Sequence, residues 1–256
     1  MRVGLLGPLE VYEGDHRIHV GSVRQRAALT LLALDAGRVV SADRLIDGLW
    51  GDNAPAGAPN ALQHHISRLR KAVGQSLVTR GPGYLLDVEH DDVDALRFAR
   101  LAREGRVALR ARDMSMVAVT LRDALALWRG PPLEEFLDRD WARQEAARLQ
   151  ELYLAAVEDR IDADLSDGFH ADVLDELRSM LGEHPFRERL WGQLMLALYR
   201  CGRQPEALAA YAEARRVLAE EHGLDPGPEL AQLEQAILNQ DPDLAAPARP
   251  EPVVSQ

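Results

Sequence analysis

Four cations stand in a stretch of chain that has no carboxylate. Arg68, Arg70, Lys71 and Arg80 fall between Asp52 and Asp87, where no Asp or Glu occurs. The 256-residue chain nevertheless holds 41 acidic residues, and Lys71 is its only lysine. Cations cleared of neighbouring carboxylates suit a polyanion, because an Asp or Glu among them would repel phosphate. Asn60, Gln63, His64 and Ser67 are interleaved with them. Amides can bond adenine edges, and guanidinium groups can fork onto guanine or phosphate. The chemistry implied is recognition of duplex DNA by a local patch. The plain alternative is a surface helix whose solvated side happens to be basic.

Other chemistries are poorly supplied. Cys201 is alone, so neither a disulfide framework nor a cysteine-based zinc cluster can form, and it reads as a small packing residue. His64 and His65 are adjacent, which is not the spacing of two ligands on one helical face, so no metal is expected. The Gly81–Pro82–Gly83 turn lacks the Gly-Lys-Ser/Thr ending of a phosphate loop and precedes a strand. No nucleophile–base arrangement is visible, so neither an enzyme nor a cofactor is expected.

The elements that must position the patch can be read in order. Residues 3–11 and 16–20 read as short strands around a turn at Glu13–Gly14–Asp15. A helix follows from Val23 to Asp35, and Ser41 caps a second that stops at Gly51. A third runs from Pro59 to Val73. At 100° per residue its Leu62, Ile66, Leu69 and Val73 form one stripe. Asn60, His64, Ser67, Arg68 and Lys71 take the opposite side, with Gln63 and Arg70 on its flank. Leu77–Arg80 and Tyr84–Val88 read as strands joined by the glycine turn. A basic-faced third helix followed by a two-stranded flap with Arg80 at its tip is the plan of a winged helix.

The segment SADRLIDGLWGDNAPAGAPNALQHHISRLRKAVG…LVTRGPGYLL resembles the winged helix of OmpR-type response regulators. It resembles still more the variant in the Streptomyces antibiotic regulatory proteins, whose effector domain is N-terminal without a preceding receiver domain. The resemblance implies that Arg68, Arg70, Lys71 and their helical neighbours address promoter DNA. It implies too that the Gly51–Ala58 loop, with Asp52, Asn53, Ala54 and Pro55, touches RNA polymerase holoenzyme.

From Asp94 onward the pattern is almost wholly helical. Helices are expected near 94–110, 114–128, 139–167, 171–183, 187–201, 205–221 and 227–239. Leu174 and Leu208, Leu177 and Tyr211, and Ala197 and Ala231 are each 34 residues apart, the tetratricopeptide period. ALALWRGPPLEEF and residues 184–238 resemble the bacterial transcriptional activation domain that follows the winged helix in the same family.

The fold expected is therefore mainly α with a small β component. It comprises a winged helix-turn-helix over 1–92, an all-α tetratricopeptide-like domain over 93–240 and a disordered tail over 241–256. The charge is uneven, as this division requires. The first 90 residues hold ten basic and nine acidic side chains, and the remainder 20 and 32. The front half is expected to form a core of its own. The N-terminus is broken by Gly4, Gly7 and Pro8 and reads as strand and turn, not a signal peptide. No run approaches the roughly 18 apolar residues of a membrane helix. A cytoplasmic protein is expected.

The function these readings imply is a sequence-specific transcriptional activator. It would bind direct repeats near a promoter, as a homodimer at least on DNA, and recruit polymerase to a secondary-metabolite (antibiotic) gene cluster. A helical-repeat adaptor without DNA binding is the alternative, which the acid-free window and Arg80 disfavour.

Overall fold

A computed structural model describes residues 1–245. The chain opens with a three-stranded antiparallel sheet, β1 (Arg2–Gly4), β2 (Glu10–Glu13) and β3 (His16–Arg17), in sequence order. Residues 3–11 are thus not one strand, and the reason is where the backbone bonds go. The N–H groups of Leu5 and Leu6 donate to the Asp94 carboxylate at 2.6 and 3.2 Å. Their carbonyls accept from the N–H groups of Leu133 and Arg129 at 3.0 and 2.8 Å. Leu5 and Leu6 are buried at this departure from the sheet, and Pro8 has no N–H to return to it.

Three helices follow: α1 (Val23–Leu34), α2 (Ala42–Trp50) and α3 (Ala58–Val73). Ser22 and Gln25 form a capping box on α1, and Ser41 caps α2 through the Arg44 N–H. Helix α1 is buried along almost its whole length from Gln25 to Ala33, so it is the central element against which α2 and α3 pack. Leu29, Leu32, Leu45, Leu49, Leu62, Ile66 and Leu69 make that core. A second sheet has the order β4-β6-β5, from β4 (Val40–Ser41), β5 (Leu77–Arg80) and β6 (Gly83–Leu86). A Cβ on Gly83 would collide with the Val40 carbonyl, so glycine there is what lets β4 lie against β6.

Among the described residues seven α-helices follow: α4 (Asp94–Arg110), α5 (Met114–Leu125), α6 (Asp140–Ser166), α7 (Leu174–Glu183), α8 (Glu188–Arg200), α9 (Gln204–His222) and α10 (Pro228–Leu238). Two compact units result. One takes residues 1–104 and 122–154, the other 105–121 and 155 onward, so α4, α5 and α6 contribute to both. In the first unit Phe98 meets Trp128 edge-on at 5.3 Å, and Trp128 meets Tyr153 at 4.6 Å. In the second, α8 packs against α7, α9 and α10, and Arg189 bridges Glu158, Asp159 and Asp162. The 34-residue pairs fall on successive helix pairs. Leu174, Leu177 and Ala197 are buried, while Leu208, Tyr211 and Ala231 are only partly so.

Of the tail expected to be disordered, Pro242–Leu244 forms one 3-10 turn whose Leu244 carbonyl accepts from Arg200 Nε at 3.1 Å. Residues 246–256 lie outside the described residues. No helix among the described residues is long and apolar enough to cross a membrane.

Candidate nucleic-acid interface

Helix α3 separates its two faces cleanly. Pro59 sits in its first turn, where a missing N–H costs nothing, and Gly74 at positive φ ends it. Ala58, Leu62, Ile66, Leu69 and Val73 are buried. Asn60, Gln63, His64, Ser67, Arg68, Arg70 and Lys71 are all exposed. Arg70 and Lys71 lie in the last turn, where cations complement the carbonyl end of the helix dipole. Many arginines elsewhere are paired with carboxylates, as Arg26 is with Glu135 at 2.7 Å. Among the described residues no carboxylate pairs with Arg68, Lys71 or Arg80.

Arg70 behaves differently from its neighbours. Its Nε donates to the Leu77 carbonyl at 3.0 Å and its Nη2 to Thr79 Oγ1 at 2.9 Å. It therefore ties α3 to β5, the first strand of the flap, and its donors are partly spent. Arg80 ends that strand opposite Gly83, leaving Gly81–Pro82 as a two-residue hairpin loop. Gly81 has φ +52°, the sign a tight hairpin demands at its first loop position. Arg80 is exposed at the tip.

The structure brings together three residues that no sequence pattern places at the site, His65, Arg24 and Trp50. The His65 ring lies 6.0 Å from Trp50 and 6.3 Å from His64, with Nδ1 buried and unpartnered. The Arg24 guanidinium stands 5.7 Å from the centre of the Trp50 ring. Burial, and then the charges of Arg24, His64 and Arg68, hold the His65 imidazole below its ordinary pKa. Arg24 is exposed at the start of α1 and adds a cation beside the α3 face. It lies 34 positions before the first residue of that helix, so no periodicity could have found it.

Asp52, Asn53, Ala54 and Pro55 are exposed in the α2–α3 connection, which opens with a 3-10 turn over Gly51–Asn53 and closes with the Ala58 N–H on the Pro55 carbonyl at 2.9 Å. The ensemble offers a helix with one exposed face, of the diameter a major groove admits. Its outward face carries donors and unpaired cations, and a flap beside it carries one more cation. Among the described residues no cluster of His, Cys, Asp or Glu could hold a metal ion.

Comparison with known proteins gives two family matches. Residues 18–86 match "Transcriptional regulatory protein, C terminal", and residues 93–238 match "Bacterial transcriptional activator domain". The chain is 43% identical over 249 residues to the regulatory protein AfsR of Streptomyces griseus, covering 97% of this chain and 26% of that one. It thus spans about a quarter of the length of that relative. It is 37% identical over 256 residues to the regulatory protein DnrI of Streptomyces peucetius, covering 95% and 94%. Among solved structures, Mycobacterium tuberculosis EmbR in complex with a low affinity phosphopeptide superimposes with a TM-score of 0.90. That match is at 35% identity and covers 94% of this chain and 65% of that chain.

Proposed function

The chain belongs to the Streptomyces antibiotic regulatory protein family, and from that premise we propose that it activates transcription by binding direct DNA repeats and recruiting RNA polymerase. Membership makes it a DNA-binding transcriptional regulator and not an enzyme. The observation that carries the finer reading is the α3 face, where Arg68 and Lys71 are exposed and unpaired beside Asn60, Gln63, His64 and Ser67. Arg70 holds the flap and Arg80 extends from it toward the backbone of the same duplex. The exposed Asp52–Pro55 loop is the segment offered to polymerase.

Head-to-tail binding by two copies follows from the OmpR-like plan, since a palindrome would mirror a two-fold dimer. Homology to DnrI and RedD, both regulators from Streptomyces, supports a secondary-metabolite gene cluster as the target. The test is a footprint on the promoters neighbouring the gene. Direct repeats about 10–11 bp apart are expected, so that both recognition helices face one side. Inserting about half a turn, ~5 bp, should cut binding sharply by rotating one copy to the far face. A footprint of inverted symmetry, or undiminished binding after the insertion, would refute the tandem arrangement.

A further inference from the structure

An α-helix ends on carbonyls that its own backbone leaves without partners. At the end of α2 these are met by two side chains of the first compact unit that lie about ninety residues downstream. Arg139 Nη1 donates to the carbonyls of Gly48 and Leu49, both at 2.9 Å. Trp141 Nε1 donates to the Gly48 carbonyl at 3.0 Å. The donors stand on a firm base. Trp141 stacks on the buried Phe136 ring at 5.9 Å and 30°, and the Arg139 N–H closes a turn on the Phe136 carbonyl at 2.9 Å. A cation at a helix C-terminus also complements its dipole.

The position of this clamp gives it a consequence for DNA recognition. Two residues after Leu49 the chain enters the Gly51–Asn53 turn, and five after that α3 begins. The other end of that loop is held by backbone bonds alone, Ala58 N–H to the Pro55 carbonyl at 2.9 Å and Ala61 N–H to the Gly57 carbonyl at 3.0 Å. The side of α2 next to the clamp is fixed as well, since a Cβ on Gly48 would collide with Leu31 of α1. The direction in which α2 releases the chain therefore depends on Gly48 and Leu49.

We propose that Arg139 and Trp141 are positioning residues for DNA recognition. By holding the last carbonyls of α2 they set the path of residues 51–57 and, through it, the angle at which α3 meets the duplex. The proposal rests on the reading of α3 as the DNA-facing helix. Neither residue is assigned a DNA contact, because Arg139 Nη1 and Trp141 Nε1 are engaged on α2 and Arg139 Nε is buried. Residues 122–154, which the sequence assigns to the activation domain, thereby take part in reading the promoter.

The test uses the full chain and three variants. Arg139→Met keeps the stem and removes the donors, Arg139→Lys keeps a cationic donor, and Trp141→Phe keeps the stack on Phe136 and removes the N–H. Amide exchange at residues 51–57 should accelerate about tenfold or more in the Met and Phe variants, as loss of a hydrogen bond to a charged or buried donor allows. Lys should restore most of the protection. Affinity for the promoter duplex should fall about tenfold in the Met variant with the salt dependence unchanged, since no phosphate contact is removed. Unchanged exchange at 51–57 in both variants would overturn the clamp. Accelerated exchange with unaltered affinity would overturn its role in recognition, and so would a salt slope reduced by about one charge, which would make Arg139 a phosphate contact. Wild-type protein that ignores the duplex would sink the reading of α3 itself, while the exchange data would still decide the clamp.

Discussion

Asp94, the first residue of α4, holds the backbone of Leu5 from 89 positions away, accepting its N–H on Oδ1 at 2.6 Å. Its Oδ2 takes the Leu6 N–H at 3.2 Å and Arg129 Nη2 at 3.1 Å, and Arg129 reaches on to Glu10 at 2.9 Å. Burial pushes the Asp94 carboxyl above the usual carboxylate range, against the pull of these donors. The first sheet is thus anchored by residues beyond position 92.

A fragment of residues 1–92 is accordingly expected to be less stable than the same region in the full chain. It lacks Asp94, the Arg129 and Leu133 amides and the Arg139–Trp141 clamp. Asp94→Ala in the full chain should cost about 1–3 kcal/mol, the penalty for leaving two buried N–H groups without an acceptor. Urea denaturation checks both. Equal midpoints for fragment and full chain would show that the sheet needs no support from α4.

Arg70→Ala should lower stability and DNA affinity together, because it unties α3 from the flap at Leu77 and Thr79. Lys lacks the fixed fork of donors that meets both acceptors and should restore only part of the loss. Thermal melts and binding isotherms on the same samples make the check. Full stability with lost affinity would place Arg70 on the DNA instead.

His170 gives the second unit a pH dependence. It is 6% exposed and neither ring nitrogen has a hydrogen-bond partner. Burial first, and then Arg200, which donates to the Leu165 and Leu244 carbonyls, hold its pKa below the ordinary 6.5. Between that value and the lower folded one the unfolded chain binds more protons, so stability falls as pH falls. The contribution is complete above pH 6.5 and shrinks below it. His170→Leu should flatten the decline between roughly pH 7 and 5. His65, shifted in the same direction, should add its own share in the first unit. A variant with the wild-type pH profile would contradict this assignment.

The legible parts of the fold were those with a local signature. Ser41, Pro59 and Gly74 mark helix ends that the structure places within a residue or two, and the Leu62–Val73 stripe is the buried face of α3. Strand β4 has two residues, too few for any alternation to show. The break at Leu5 and the clamp on Gly48 arise from polar side chains meeting backbone groups about ninety positions away, which leaves no periodic trace. In the candidate site, the exposed cations followed from spacing. The special tie of Arg70 to Thr79 and the approach of Arg24 to Trp50 did not, because both depend on how separate elements pack.

The most direct measurement is a salt titration of promoter binding by the full chain and by Arg68→Ala and Lys71→Ala. Both side chains point away from the buried stripe, so the variants should melt as the wild type does. If a residue contacts phosphate, its loss should reduce the salt slope by about one and weaken binding equally on promoter and random duplex. If it contacts a base, its loss should cost ~1–3 kcal/mol on the promoter alone. Wild-type affinity and slope in both variants, on folded protein, would contradict the assignment of α3 as the helix that reads DNA.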